Sequence, residues 1–133
     1  MKILYIITEL IRGGAQRSLL DTIKKLNKKY DITLACGIHE PWVKEAKAIP
    51  NIKLILIPQL IRNINPLYDF PSLIKIYNLC KKNKYNIVHT HSSKAGILGR
   101  WAAYFAKTPK IIHTIHGWGF NDYQNKITKY IFI

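Results

Sequence analysis

Short runs of β-branched and aliphatic residues alternate along the chain with stretches in which apolar residues recur every three or four positions. The runs predict five buried strands, over Lys2–Thr8, Ile32–Cys36, Ile52–Ile57, Ile87–Thr90 and Lys110–Ile115. The intervening stretches have the spacing of amphipathic helices. Because strands that alternate with helices build a parallel sheet covered on both faces, the pattern predicts an α/β fold with a doubly wound parallel sheet.

Helices are predicted in the gaps between these strands. They are the helix after Gly13-Gly14, Trp42–Ile49, Pro71 to about Lys82, and Lys94–Lys107. Before the third, Gln59–Phe70 contains Pro66 and polar turn residues, so we predict a loop there. Ser92 or Ser93 is expected to cap the fourth helix, whose small residues allow close packing. These small residues are Ala95, Gly96, Gly99, Ala102 and Ala103. A last helix is predicted over Tyr123–Ile133.

The length of 133 residues corresponds to one domain. No apolar run approaches the roughly 20 residues of a spanning helix or the about 7 of a signal-peptide core. We therefore expect a cytoplasmic protein. Its two cysteines, Cys36 and Cys80, do not make a disulfide framework or a zinc finger, and reduced thiols are expected.

The charge balance is strongly basic, with 21 Lys and Arg against 7 Asp and Glu and a net charge of +14. This excess fits an anionic partner, or a Lys-rich solvated surface such as an AT-rich genome produces. A membrane phospholipid or a phosphorylated substrate suits it better than nucleic acid. No nucleic-acid-binding module is recognised, and the cations are spread over several helices.

The predicted topology brings three loops to one edge of the sheet. In a doubly wound sheet, ligands bind at the carboxyl ends of strands where the strand order reverses. With the common order 3-2-1-4-5, this crevice lies between the first and fourth strands, at Thr8–Ala15, His89–Ala95 and His116–Phe120. These loops are the richest in glycine, histidine and hydroxyl residues. The sequence therefore predicts a ligand site at this edge.

The first loop places Gly13 and Gly14 just before a helix. Without side chains, the backbone approaches a ligand closely, and the free amides of a helix start favour a phosphate. The loop lacks the spacing of a dinucleotide fingerprint and the Gly-Lys-Ser/Thr of a P-loop. A tight strand-to-helix turn without a ligand is the alternative.

The second loop groups two histidines with hydroxyls and a cation. His89 and His91 alternate along a strand end, so both should point to one side. Ser92, Ser93 and Lys94 follow at a helix N-terminus, and the group suits a hydroxyl or phosphate of a sugar-like ligand. One alternative is that His89 is a core histidine with satisfied hydrogen bonds.

The third loop offers a titratable histidine and an aromatic ring. His116 can donate or accept a proton near neutral pH, and Trp118 supplies an apolar plate that suits a sugar ring. His113, within the preceding strand, is expected to be structural. A metal held by His89, His91, His113 and His116 is the alternative, but no carboxylate or cysteine neighbour completes such a site, so none is expected. Only Glu9 lies near the crevice, which disfavours hydrolase chemistry.

Three segments together carry a family resemblance. ILYIITELIRGGAQRSL, YNIVHTHSSKAGILGR and IIHTIHGWGF resemble, in order, the N-terminal half of the retaining GT-B glycosyltransferases of family 4. More narrowly, they are similar to bacterial enzymes that build surface polysaccharides and lipid-linked glycans. The resemblance implies one Rossmann-like domain over residues 1–120, half of a GT-B fold. Residues 121–133 would then begin a helix that leads toward a C-terminal domain.

The resemblance also implies roles for individual residues. Gly13 and Gly14 would lie against the diphosphate of a nucleotide sugar, and His116 would match the family's active-site histidine. The acceptor side of the cleft would be lined by His91, Ser92, Ser93, Lys94 and Trp118. Such enzymes retain the anomeric configuration without a Mg²⁺ held by Asp-x-Asp, a motif that this sequence lacks. No metal or other cofactor is expected.

The family's donor domain, with its two glutamates eight positions apart, lies outside these 133 residues. The chain alone should therefore be weak or inactive, and it would need that domain or a partner chain. A non-catalytic subunit of a two-chain enzyme and an inactive fragment are the alternatives. Family members that act on lipid-linked acceptors often rest on the inner membrane. The residues expected at an anionic membrane surface are Arg62, Tyr68, Lys75, Lys81, Lys82 and Lys84.

Overall fold

The computed structural model describes residues 1–8, 14–38, 42–61 and 65–114. Strands and helices alternate throughout these ranges, as the sequence predicts. In chain order they are β1 (Lys2–Ile7), α1 (Gly14–Leu26), β2 (Asp31–Cys36), α2 (Trp42–Lys47), β3 (Ile52–Leu56), α3 (Pro66–Asn83), β4 (Ile87–His91), α4 (Ser93–Phe105) and β5 (Lys110–Thr114). The helix predicted over Tyr123–Ile133 lies outside the described residues.

All five strands form one parallel sheet in the order β3-β2-β1-β4-β5. The predicted α/β fold and strand order are thus confirmed. The central strand β1 pairs with β2 on one side and β4 on the other, with Ile3 beside Ile32 and Ile87. Helices cover both faces of this strand, which is why it is apolar from Ile3 to Ile7 instead of alternating.

The helices form two layers, one on each face of the sheet. On the first face, Leu19, Leu20 and Ile23 of α1 pack with Tyr5 and the other inward residues of β1 and β2. The second core joins α3 and α4 to the opposite face. Its buried members include Leu4, Ile6, Ile76, Cys80, Val88, Ala102 and Ala103. None of the helices in the described ranges has the length and apolar character needed to span a membrane.

Helix α3 begins at Pro66, five residues before the predicted start, and this part of the loop prediction is wrong. The side chain of Asn65 accepts the N–H of Leu67 at 3.1 Å, and the Asp69 carboxylate accepts the N–H of Asn65 at 3.1 Å. This reciprocal cap starts the helix, and Pro66 fits its first position because no amide is needed there. Pro71 is tolerated inside the helix. Tyr68 is therefore helical.

Helix α4 lies close to the sheet because its inward residues are small. All five small residues of the prediction are buried. A Cβ on Gly96 would lie 2.5 Å from Cε1 of His113, and one on Gly99 would lie 2.6 Å from Cγ2 of Thr90. Glycine at these positions lets the helix approach β4 and β5, which confirms the predicted close packing.

Candidate functional site

Hydroxyl groups join the ends of β1 and β4 at the carboxyl edge of the sheet, where the strand order reverses. The N–H of Thr8 donates to Oγ of Ser92 at 3.2 Å, and the two hydroxyl oxygens lie 2.8 Å apart. The N–H of Ala95 in turn donates to Oγ1 of Thr8 at 3.1 Å. These contacts among Thr8, Ser92 and Ala95 form a strand-end network that fixes the start of α4 against β1.

The capping hydrogen bond of α4 is made by the residue that follows β1, and not by either of the serines that follow β4. Ser92 occupies the N-cap position, as predicted, but its side chain makes no capping hydrogen bond. Thr8, 87 residues before Ala95, satisfies that helix amide instead. Ser92 has φ 68° and ψ 165°, a conformation that residues with a side chain rarely adopt. The network compensates this local strain, because it engages the Ser92 hydroxyl.

An aromatic cluster lies on the α1 face beside this network. The ring centroids of His89 and His91 are 4.3 Å apart, which confirms that both side chains point to one side. Tyr5 lies 5.3 Å from the first ring and 6.0 Å from the second. His89 hydrogen-bonds through Nε2 to the hydroxyl of Thr114, which agrees with a half-buried, hydrogen-bonded histidine. Burial raises the pKa of the Tyr5 phenol, so this hydroxyl stays protonated at neutral pH.

His113 faces the opposite side of the sheet from His89 and His91. Its Nδ1 lies 2.8 Å from the Thr90 hydroxyl, and its ring packs against Gly96 of α4. These contacts support the structural role predicted for it. They also place His113 away from His89 and His91, with which it would have to share a metal ion in the alternative interpretation. Within the described ranges, no group of three His, Cys, Asp or Glu residues is placed to hold a metal ion.

Lys94, in the first turn of α4, forms an ion pair with a residue of α3. Its Nζ lies 2.8 Å from Oδ1 of Asp69, and the two side chains are only 10% and 21% exposed. A cation is unfavourable at a helix N-terminus, and the carboxylate offsets this. Because Asp69 also caps α3, one residue ties both helix starts together. The Asn65-Pro66 pair followed by Asp69 is the sequence signal that could have revealed the cap of α3.

The structure brings together four of the predicted acceptor residues, namely His91, Ser92, Ser93 and Lys94. They follow one another across the end of β4 and the start of α4. Gly14 is the first residue of α1. The other predicted site residues, Gly13, His116 and Trp118, and the predicted membrane residue Arg62 lie outside the described residues. At the described edge, the Ser92 hydroxyl is engaged by Thr8, and the Lys94 ammonium is paired with Asp69.

Two curated relatives match this chain in sequence. A UDP-Gal:α-D-GlcNAc-diphosphoundecaprenol α-1,3-galactosyltransferase of Escherichia coli is 39% identical over 133 residues, 99% of this chain and 34% of the relative. The capsular polysaccharide biosynthesis glycosyltransferase CapM of Staphylococcus aureus is 30% identical over 116 residues, 87% of this chain and 29% of the relative. The chain thus spans about a third of the length of these relatives.

Solved structures of glycosyltransferases share the fold. HepE of Anabaena, solved with UDP and glucose, superposes with a TM-score of 0.75 at 18% identity, over 99% of this chain and 34% of that one. MurG of Acinetobacter baumannii gives a TM-score of 0.70 at 16% identity, over 98% of this chain and 39% of that one. These likenesses support the prediction of a Rossmann-like domain, one half of a GT-B fold.

The family is settled by sequence. The family model for Glycosyltransferase Family 4 matches residues 12–133, which is nearly the whole chain. This match agrees with the resemblance carried by the three sequence segments and with the GT-B fold of the structural neighbours. The chain belongs to Glycosyltransferase Family 4.

Proposed function

We propose that this chain is the acceptor-side domain of a retaining glycosyltransferase that transfers a sugar from a nucleotide-diphosphate sugar to a lipid-linked glycan. The proposal rests mainly on one observation: imidazole, hydroxyl and ammonium groups, from His91, Ser92, Ser93 and Lys94, lie at the carboxyl edge between β1 and β4. The name of the E. coli relative, which specifies a UDP-sugar donor and a diphosphoundecaprenol-linked acceptor, supports this substrate class. The capsular relative supports a role in cell-surface polysaccharide synthesis.

The proposed roles follow from position and chemistry. His91, Ser92, Ser93 and Lys94 bind the acceptor, together with Trp118. His116 acts at the transferred sugar as the catalytic residue. Gly13 and Gly14 lie against the donor diphosphate, where backbone amides at the start of α1 stabilise the negative charge of the leaving group. In this proposal no metal is required, and a second domain or a partner chain completes the donor site.

The proposal includes contact with an anionic membrane surface through α3. The outer face of this helix is apolar at its start, where Leu67, Tyr68, Phe70 and Ile74 are exposed. It becomes basic toward its end, where the exposed cations are Lys75, Lys81, Lys82 and Lys84. The apolar part lies at the carboxyl edge, because Asp69 pairs with Lys94 there. A cytoplasmic protein docked in this way presents its acceptor site to the lipid surface.

Acceptor binding tests the first part of the proposal. The whole chain would be titrated with a short-chain, water-soluble lipid-diphosphate-GlcNAc, and affinity measured by calorimetry. Ser93→Ala removes one hydrogen bond and should weaken binding about fivefold. Lys94→Met removes one charge-assisted contact and should weaken binding more. The matched control is Lys24→Met, which removes a cation from the exposed face of α1. Equal affinity in all four proteins would contradict the assigned acceptor site.

Vesicle binding tests the membrane contact. Sedimentation with phosphatidylcholine vesicles, with and without phosphatidylglycerol, would compare the wild type with a Lys81→Glu, Lys82→Glu variant. Each cation near an anionic surface contributes about 1 kcal/mol, so this variant should lose at least about tenfold in partitioning. The control, Lys24→Glu with Lys25→Glu, changes the same charge on α1. An equal loss in the control would show general electrostatics instead of an α3 surface.

A transfer assay separates the enzyme from its alternatives. The chain would be incubated with nucleotide sugars and the same acceptor. Slow turnover that His116→Ala abolishes supports the catalytic role. Acceptor binding without turnover favours a subunit or fragment that depends on a separate donor domain.

A further inference from the structure

The outer face of α4 exposes a stripe of large apolar residues, the α4 stripe, formed by Ile97, Trp101, Tyr104 and Phe105. Trp101 is 59% exposed, Tyr104 71% and Phe105 55%. Together with Arg100 and Ile111, the stripe lines a groove of about 820 Å³ beside β5. Contiguous apolar surface of this kind usually has a partner.

The topology indicates what should cover this groove. Helices α3 and α4 pack on the same face, and the sheet grows outward from β1 through β4 to β5. Connections between parallel strands are right-handed in nearly all proteins. A helix that connects β5 to a further parallel strand on its outer side would therefore lie on the same face as α4, against the outer side of that helix.

The sequence after β5 contains a segment whose apolar spacing matches that of the α4 stripe. Within Tyr123–Ile133, the apolar residues Tyr123, Ile127, Tyr130 and Ile131 repeat the i, i+4, i+7, i+8 spacing of the α4 stripe. As a helix, the 11 residues extend about 16 Å, enough to cover the roughly 12 Å from Ile97 to Phe105. Eight residues, 115–122, connect it to Thr114 and easily span the turn.

We propose that Tyr123–Ile133 docks as a helix into the groove formed by the α4 stripe and β5, with its four apolar side chains inward. This occupant suits the groove better than lipid does. The α4 stripe contains no lysine, and Arg100 is turned back to donate to the carbonyl of Gly96 at 2.7 Å. The exposed face of α3, in contrast, combines apolar residues with lysines. The inference is independent of the proposed function.

Thiol labelling of the whole chain tests this docking. The native thiols should not react with the label, because Cys36 and Cys80 are buried and burial raises their pKa values to about 12. Tyr104→Cys places a reporter in the groove, and Asn78→Cys places a control on the exposed face of α3. We expect the groove reporter to react at least about tenfold more slowly than the control, after correction for their rates in denaturant.

Substitutions within the segment identify the occupant. Ile127→Asp places a charge on its inward stripe and should raise the labelling rate of Tyr104→Cys at least about fivefold. Thr128→Asp adds the same charge to the polar side and should leave that rate within about twofold. The control reporter should be unchanged in both, and circular dichroism verifies that each variant is folded.

Three outcomes would overturn the proposal. The groove reporter could react as fast as the control in the otherwise native chain, which would show an open groove. Protection that appears only at high protein concentration, together with a dimer on gel filtration, would assign the groove to a second copy. Protection that requires anionic vesicles would assign it to the membrane.

Discussion

Helices α3 and α4 lie side by side on the same face of the sheet, yet they begin by different means. Helix α3 is capped by its own neighbours, Asn65 and Asp69. Helix α4 is capped by Thr8, from the opposite end of the sequence. The start of α3 is therefore local, whereas the start of α4 depends on the assembled sheet. The positions of two candidate acceptor residues, Ser92 and Lys94, therefore depend on the residue that follows β1.

The largest effect should come from the contact between α4 and the sheet. Gly99→Val places a side chain where even a Cβ would lie 2.6 Å from Cγ2 of Thr90 and 3.0 Å from Cδ1 of Ile6. Overpacking should lower the free energy of unfolding by about 3 kcal/mol in urea denaturation. Asn78→Val, at an exposed position of α3, should change it by less than about 0.5 kcal/mol. Similar losses in both variants would mean that α4 does not need its close approach.

Removing the hydrogen bond between Thr8 and the Ala95 amide should lower the free energy of unfolding less than Gly99→Val does. Thr8→Val preserves the shape of the side chain but leaves the buried amide of Ala95 without its acceptor, so we expect a loss of about 2 kcal/mol in the free energy of unfolding. Because this network fixes the start of α4, acceptor affinity should also fall. Thr8→Ser keeps the hydroxyl and should restore both properties. Failure of Thr8→Ser to restore acceptor affinity would separate the network from the site.

The local cap of α3 provides the matched comparison. Asn65→Ala removes the side chain that accepts the N–H of Leu67 and should cost about 1 kcal/mol in the same denaturation experiment. Acceptor affinity should stay within about twofold, because Asn65→Ala leaves both the Thr8 cap and the Asp69–Lys94 ion pair at the start of α4 in place. A fall in affinity as large as that of Thr8→Val would mean that the two helix starts act as one unit.

The smallest effect concerns ion pairs. A double-mutant cycle with Asp69→Asn and Lys94→Met should give a coupling free energy of about 1 kcal/mol, because this pair is largely shielded from solvent. The Arg17–Asp21 pair on α1 is about half exposed, with 3.7 Å between its charged atoms. Its cycle should give less than about 0.5 kcal/mol. Equal couplings would show that burial adds nothing to the pair between α3 and α4.

The contrast between local and remote contacts also explains which features the sequence predicts. The five strands and the close packing of α4 follow from hydrophobic periodicity and small residues within single segments. The strand order follows from the common topology of doubly wound sheets. The start of α3 is equally local, but Pro66 and the polar turn residues predict a loop, and Pro71 predicts a helix start five residues too late. The cap formed by Asn65 and Asp69 is the local signal that this prediction lacks.

The contacts at the site could be predicted only in part. The segment from His89 to Ala95 lies at the carboxyl edge beside the end of β1, as predicted, because the strand order places it there. The hydrogen bond from Ala95 to Thr8 and the ion pair of Lys94 with Asp69 join residues far apart in sequence, and no periodicity indicates such partners. The roles of Gly13, His116 and Trp118 stay predictions.

The central claim is that the carboxyl edge between β1 and β4 binds the acceptor. It is tested most directly by titrating the ¹⁵N-labelled chain with the short-chain lipid-diphosphate-GlcNAc and following backbone amide shifts. We expect the largest saturable shifts at Thr8 and across Ser92–Ala95. Shifts confined to the opposite edge of the sheet, at Lys84 and Lys107, would contradict it.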